Sequence, residues 1–413
     1  MTPAVPPVGK MRSQFSDLRV AIVHYWFVRR RGGERVVEEL AKIFPHADLY
    51  TLVADPAAVP SSLRKNAIHT SFVQCIPGSL RWHRYFLPLY PIALEQFDLR
   101  NYDLVISSES GPAKGVITSP RTCHICYCHS PMRYLWDMYH SYRNRKVMNP
   151  LLQAVFSLSA HYLRIWDLAS ASRVDYFVAN SHHVARRIRK YYGREATVIY
   201  PPVTVSSGYT SDTTEGYYLV VSQLTYYKRI DLAIEACNHL RRPLRIVGEG
   251  EEYKRLRRLA GPTIQFLGFL PDPELHEQYA RCRALLFPGE EDFGIVPVEA
   301  QSFGRPVIAY GRGGALETTM GFFPDEPPRP ESATGVFFRQ QSEEALAEAI
   351  LAFERLEARF SPELIRSHAK RFDAHSFREK MEAFVAQALA NFPHSEPRWS
   401  NHAQTEGFES SFL

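Results

Sequence analysis

Residues 290–304 read E-E-D-F-G-I-V-P-V-E-A-Q-S-F-G, in which seven residues separate Glu291 from Glu299. Glu291 follows an apolar run, Arg283 to Phe287, that reads as a strand, and Phe293 with Gly294 opens a helix. The first N–H groups of a helix have no intrahelical partner and favour an anion. A helix running from Gly294 places Glu299 about 7–8 Å further along its axis, at ~1.5 Å per residue. One carboxylate could then accept hydroxyls of a hexose and the other those of a ribose, with a diphosphate between them. Ionised carboxylates accept several O–H bonds and donate none, which suits a polyol. The plain alternative is a pair of solvated acids near a helix start, where the dipole favours negative charge.

Other segments offer chemistry of the same kind. G-R-G-G-A-L-E at Gly311 to Glu317 is a glycine-rich turn opening a short helix, a second place where bare backbone can meet a ligand. V-R-R-R-G-G-E-R puts Gly32 and Gly33 at the mouth of the first long helix, either a phosphate cradle or an ordinary loop. In Q-L-T-Y-Y-K-R-I-D-L, Lys228 and Arg229 enter a helix. Cations are unfavourable at a helix start unless an anion such as a departing diphosphate is bound there; a solvated pair is the other reading. C-H-I-C-Y-C-H at Cys123 to His129 invites zinc, but no second C-x-x-C completes four ligands. The segment reads as a buried strand with Cys123, Cys126 and Cys128 as small hydrophobes. No metal is expected.

These residues need a scaffold that brings distant loops together. The 413 residues suit two α/β domains. A hydrophobic content of 45% with 23% charged residues describes an ordinary globular chain, and a net charge of +5 is too mild to argue for nucleic acid. No apolar run approaches the roughly 20 residues that span a bilayer, and the first residues lack the apolar core of a signal peptide. A cytoplasmic protein is expected. Strand-like and helix-like runs alternate: strands at 19–24, 47–52, 103–107, 124–128, 174–179 and 197–200, then at 217–222, 244–247, 264–267, 283–287, 306–310 and 335–338. Helices are expected in the second half at 231–240, 251–259, 273–282 and 343–356, and from Pro362 to Leu389. The pattern predicts an α/β protein of two facing doubly wound, Rossmann-like domains with the strand C-termini at one cleft.

Taken together these motifs resemble the retaining GT-B glycosyltransferases of family 4, and within it the bacterial mannosyltransferase-like branch. The resemblance rests on R-V-A-I-V-H-Y-W with R-G-G-E-R, Y-C-H-S-P-M-R-Y-L-W-D, V-S-Q-L-T-Y-Y-K-R-I-D-L-A-I-E-A, R-I-V-G-E-G, F-P-G-E-E-D-F-G-I-V-P-V-E-A and G-R-G-G-A-L-E. It implies that residues 17–200 form an acceptor-side domain, 201–216 a linker and 217–360 the nucleotide-sugar domain. A helix at 361–391 would pack back toward the first domain, with a disordered tail at 392–413. The resemblance further implies that Gly33, with Gly32 beside it, contributes a phosphate contact. By the same likeness His129 reaches the donor sugar, Lys228 and Arg229 hold the diphosphate, Glu291 the sugar hydroxyls and Glu299 the ribose. Phe293 and Gly294 form the donor-binding helix start, and Glu249, Gly250 and Phe269 lie near the base. Gln223 stands where the family usually has an arginine that helps hold the diphosphate. Glutamine keeps hydrogen bonding and loses the charge, and Arg229 is the residue that would compensate.

The expected activity is transfer of a hexose, with retention, from a nucleotide diphosphate donor, GDP-mannose favoured, to a glycan hydroxyl in polysaccharide biosynthesis, without cofactor or metal. The acceptor would be a glycan or a polyprenyl-linked oligosaccharide at the inner face of the plasma membrane. Alternatives on the same scaffold are an epimerase, a glycan phosphorylase or a catalytically silent nucleotide-sugar-binding partner. R-W-H-R-Y-F-L-P-L-Y-P at Arg81 to Pro91 and H-S-Y-R-N-R-K at His140 to Lys146 interleave basic and aromatic residues. They read either as a peripheral contact with anionic lipid or as core helices with a solvated rim.

Overall fold

The computed structural model describes residues 15–28, 32–109, 111–143, 149–211 and 213–393. The expected tail beyond Pro393 lies outside the described residues, as do Arg29 to Arg31 and the end of the basic stretch from residue 144. Seven strands, β1 (Val20–His24), β2 (Asp48–Thr51), β3 (Ile68–Thr70), β4 (Leu104–Glu109), β5 (Cys123–Cys128), β6 (Tyr176–Ala179) and β7 (Ala196–Val198), form one parallel sheet in the order β3-β2-β1-β4-β5-β6-β7. Seven more, β8 (Tyr218–Val221), β9 (Leu244–Val247), β10 (Ile264–Gly268), β11 (Ala284–Phe287), β12 (Val307–Tyr310), β13 (Gly321–Phe322) and β14 (Gly335–Phe338), form a second parallel sheet. Its order is β10-β9-β8-β11-β12-β14-β13. Both sheets are doubly wound, and the two Rossmann-like units make the GT-B architecture. The expectation missed β3 and β13 for a physical reason. β3 is a three-residue edge strand with His69 and Thr70 exposed, and β13 has two residues, so neither carries a periodic apolar signal.

Strands buried on both faces need helices on both faces. Those that matter here are α1 (Gly32–Ile43), α2 (Pro150–Ala171), α3 (His182–Tyr192), α4 (Ile230–His239), α5 (Tyr253–Leu259), α6 (Asp272–Arg281), α7 (Ile295–Ser302), α8 (Glu343–Leu356), α9 (Pro362–Ala369) and α10 (Ala374–Asn391). In the second sheet Val220, Ile246, Leu286 and Ile308 face α4 and α8, while Leu219, Leu285 and Val307 share the opposite core with Tyr279 of α6 and Ala300 of α7. The same alternation splits the cysteines of β5. Cys123 joins the core that holds Ile22 and Val36, whereas Cys126 and Cys128 join the one that holds Val184 and Ile188 of α3. The C-x-x-C pair therefore points to opposite faces of its strand.

The second sheet turns back at its edge, where β13 lies outside β14, and in each sheet the strand order reverses further in, between β1 and β4 in the first and between β8 and β11 in the second. Loops leaving the strand ends there diverge to opposite faces and leave a crevice, the usual ligand position in open α/β sheets. His24 closes β1 and Ser108 lies near the end of β4, while Ser222 follows β8 and Pro288 follows β11. Sequence position alone does not reveal that these are the four ends flanking the two crevices.

The last described helix, α10, packs on the first unit. Phe377, Met381, Val385 and Ala388 are buried in one core with Val36, Val37 and Leu40 of α1, and Arg378 forms an ion pair with Glu39. Met381 is 0% exposed. Met381→Ala is expected to cost about 2–5 kcal/mol in chemical denaturation; a loss below ~0.5 kcal/mol, typical of surface positions, would show that α10 does not share this core.

Candidate active site

The register of the first sheet sets His24 beside Ser108. His129 follows β5, and the three side chains meet: Ser108 Oγ lies 3.3 Å from His24 Nδ1 and 2.9 Å from His129 Nε2. One hydroxyl hydrogen serves only one of two acceptors, so at least one imidazole donates its N–H to Ser108. Gly33 covers this group. A Cβ there would stand 2.9 Å from the Tyr25 hydroxyl, 3.3 Å from His24 and 3.7 Å from His129, and one at Gly32 would stand 2.4 Å from Ile295 Cδ1. The glycines let the start of α1 approach the histidines on one side and the start of α7 on the other. Two sets of unpaired helix N–H groups thus open near one another across the two units.

On the second unit, Lys228 ends a 3-10 turn, Tyr226–Lys228, that follows β8. Its ammonium forms an ion pair with Glu291. Arg229 is set apart. Its backbone is left-handed, at φ 52°, and its guanidinium lies 3.4 Å from Asp231. Gln223 is exposed on the same loop. Gly294 caps α7 at φ 95°, a conformation open to glycine, so the chain turns sharply from Glu291 into the helix. Phe293 is buried and packs at 5.6 Å from both Tyr200 and Phe372, fixing that turn from beneath.

Glu299 lies in the second turn of α7 and accepts from Arg35 Nη1 at 2.7 Å and from the Tyr279 hydroxyl at 2.9 Å. A cavity of about 320 Å³ opens beside it, lined among others by Arg35, Asp272, His276, Tyr279 and Glu299. Lys228, Glu291 and Gly33 do not line that cavity, so the two glutamates face different spaces. Glu249 and Phe269 are exposed at the ends of β9 and β10, and the Glu249 carbonyl accepts from Leu224 N at 2.9 Å. Phe269 is 74% exposed, and Gly250 lies against the Leu224 backbone. The structure therefore gathers Gly32, Gly33 and His129 with the start of α7, pairs Lys228 with Glu291, and sets Arg229, Glu249, Gly250 and Phe269 around the outer loops.

The residues that hold the two units against one another were not in the expected set. Asp292 forms an ion pair with Arg187 and lies 3.8 Å from Arg133, and its carbonyl accepts from Ser181 at 2.5 Å. Burial alone would raise the Asp292 pKa; Arg133 and Arg187 outweigh it and hold it below the usual carboxylate range. Glu317 accepts from His182 N at 2.8 Å and His183 N at 2.9 Å, so a carboxylate of the second unit caps α3 of the first. Arg133 and Asp137 stand in the stretch that follows His129, and Asp292 stands between Glu291 and Phe293. Proximity in sequence was the available signal for them. Ser108, Arg187 and Tyr279 carried none.

Comparison with known proteins agrees with the fold. Residues 30–207 match Glycosyltransferase Family 4, and residues 206–371 match Glycosyl transferases group 1. The two matches follow one another along the chain, one over each unit. It is 31% identical to the O-antigen chain mannosyltransferase C of Escherichia coli over 102 residues, 23% of this chain and 28% of that one. It is 30% identical to the human Alpha-1,3/1,6-mannosyltransferase ALG2 over 139 residues, 31% of this chain and 33% of that one. The matched stretches span about a third of these relatives' length. Anabaena HepE in complex with UDP has the same fold, with a TM-score of 0.63 and 17% identity, over 90% of this chain and 100% of that one. Sucrose-phosphate synthase from Thermosynechococcus elongatus shares it with a TM-score of 0.63 and 16% identity, over 90% of this chain and 99% of that one.

Burial, reinforced by nearby His24, lowers the His129 pKa to about 3, and burial lowers that of His124 to about 4. In the unfolded chain both titrate near ~6.5. Below that pH the unfolded state binds protons that the folded state refuses, so stability falls as pH drops from about 6.5 toward the folded values and is unaffected above. His129→Gln is expected to make the fall shallower, with His124 supplying the remainder. Denaturant midpoints measured across this range check it, and equal slopes in the two proteins would contradict the burial of His129.

Proposed function

We propose that this chain is a retaining, metal-independent hexosyltransferase that moves mannose from GDP-mannose to a hydroxyl of a glycan, the acceptor being a polyprenyl-diphosphate-linked oligosaccharide in polysaccharide biosynthesis. The observation that carries the reading is the meeting of the α1 and α7 helix starts at Gly32 and Ile295, with His129 on one flank and the Lys228–Glu291 pair on the other. Such a place concentrates fixed positive potential where a diphosphate develops negative charge. The mannosyl donor is supported by relatives named as mannosyltransferases.

In this reading the C1–O bond to the diphosphate breaks while the acceptor oxygen bonds to C1 on the same face, and the departing phosphate oxygen takes the acceptor proton. The helix starts and Lys228 stabilise the leaving group. Glu291, holding Lys228 through one oxygen, keeps lone pairs for sugar hydroxyls, and Glu299 keeps capacity for a ribose beside Arg35 and Tyr279. His129, neutral at physiological pH because of its burial, adds no positive charge, and with Nε2 bonded to Ser108 it has Nδ1 for a sugar hydroxyl.

Lys228→Ala is expected to remove about 2.7–4 kcal/mol of transition-state stabilisation, a loss of roughly 10²–10³ in turnover. Glu291→Gln is expected to lower turnover with the thermal midpoint retained. Both are measured with a panel of nucleotide sugars in buffer with and without EDTA. Loss of activity in EDTA restored by magnesium would overturn the metal-free mechanism, and preferential use of a uridine donor would overturn the donor assignment. Binding of GDP-mannose without turnover on any glycan acceptor would favour a silent partner.

A further inference from the structure

Helix α2 turns apolar side chains both to the core and to water. A surface helix turns charge to water and apolar residues to the core. Here both charged side chains of the helix turn inward. Asp167 is 0% exposed, pairs with buried Lys114 and accepts from Trp136 Nε1 at 2.8 Å. Arg164 is half-buried, donating to the Leu135 carbonyl at 3.0 Å and lying 5.1 Å from the Tyr139 ring. The outward positions Leu151, Val155, Leu158, Tyr162 and Ile165 follow the i, i+4, i+7, i+11, i+14 spacing of one stripe, and Leu151 and Leu158 are 72% and 73% exposed. Each exposed residue of this helix is something other than lysine, arginine, aspartate or glutamate. At ~1.5 Å per residue the stripe from Leu151 to Ile165 is about 21 Å long.

The adjoining segment extends the same character. Tyr90, Ala93 and Leu94 share a core with Ala160, Leu163 and Trp166 of α2, and Trp166 donates to Glu95 at 2.8 Å. Its outer side exposes Trp82, Tyr85 and Ile92, with Arg81 and Arg84 interleaved. A lipid surface is the occupant this combination fits. Apolar side chains enter the acyl boundary, tryptophan and tyrosine sit at headgroup level, and arginines meet anionic phosphates. A second copy fits less well, because a two-fold interface would set the arginines against themselves. No helix among the described residues is long and apolar enough to cross a membrane, so α2 would lie along the surface.

We infer that the outer face of α2, with Trp82, Tyr85 and Ile92, is a docking surface for an anionic lipid bilayer. The surface reaches the candidate site through the stretch Leu135 to Asp137, which joins α2 by the Arg164 and Asp167 bonds and joins Asp292 through Arg187, bonded to Asp137 at 2.5 Å. It rests on the proposed function only in that a lipid-linked acceptor would be met there.

The test is sedimentation of the full chain with large vesicles of phosphatidylcholine, with and without phosphatidylglycerol, and needs no turnover. The chain is expected to sediment with the anionic vesicles and to shift its tryptophan emission to the blue. Leu158→Glu with Ile165→Glu is expected to lower the partition coefficient more than tenfold with an unchanged thermal midpoint, and Leu151→Glu to lower it alone should the pair fail to fold. Arg81→Glu with Arg84→Glu is expected to abolish the preference for phosphatidylglycerol, about thirtyfold at ~1 kcal/mol for each of the two cations removed. A chain that stays in the supernatant with both vesicles overturns the inference. So does a dimer that Leu158→Glu dissociates without any vesicle binding. Glycosyl transfer to a soluble acceptor is measured separately, so the failure of one reading leaves the other standing.

Discussion

The candidate site depends on one carboxylate that is largely withdrawn from solvent. Asp292 belongs to the second unit and takes its cations, Arg133 and Arg187, from the first. Burying a charge is costly unless it is paired and hydrogen-bonded, and removing one partner leaves the other uncompensated. The contact is therefore selective: Arg133 and Arg187 also have Asp137 in their own unit, whereas Asp292 finds its cations only where the loop after β11 meets the loop after β5 and α3. Glu317 works in the same direction, since its carboxylate completes the first turn of a helix on the opposite unit. Both carboxylates sit close in sequence to the glycines and glutamates of the candidate site, so what fixes the units also sets the spacing of the site.

Within the cleft the polar groups satisfy one another. Lys228 holds Glu291, Arg35 and Tyr279 hold Glu299, and Ser108 bridges two imidazoles. A polar ligand entering such a site exchanges partners at these groups, so its net gain there comes from geometry that is already in place and from the fixed helix dipoles, while buried His24 Nε2 has no hydrogen-bond partner among the described residues. Arg229 stands outside this exchange, because its guanidinium is turned to Asp231. The two cations adjacent in sequence are thus separated in role by the left-handed backbone at residue 229.

The first unit joins two demands. Its inner helix starts meet the second unit, and its outer helix α2 places charge inward and hydrocarbon outward. The buried Lys114–Asp167 pair lies between these faces, and Tyr192 of α3 donates to Asp167 at 3.0 Å. One polar cluster in an otherwise apolar interior thereby ties α2 to α3, and through α3 to the contacts with Asp292 and Glu317.

The sequence by itself determined the parallel α/β alternation, because strands such as β9 and β14 and helices such as α8 carry their signal within their own length: apolar runs bounded by turns, and an apolar stripe after a serine cap. It also determined the local chemistry at Gly33, Glu291 and Glu299, where helix starts and carboxylates can be read from neighbours a few residues away. Tertiary structure alone decided which of these groups touch. Arg35 meets Glu299 across 264 residues and Ser108 meets His24 across 84, set by strand order and register, which leave no trace in local composition. The outward face of α2 was hidden for the same kind of reason. Periodicity shows that a helix has an apolar side, and only the packing around it decides whether that side faces the core or the solvent.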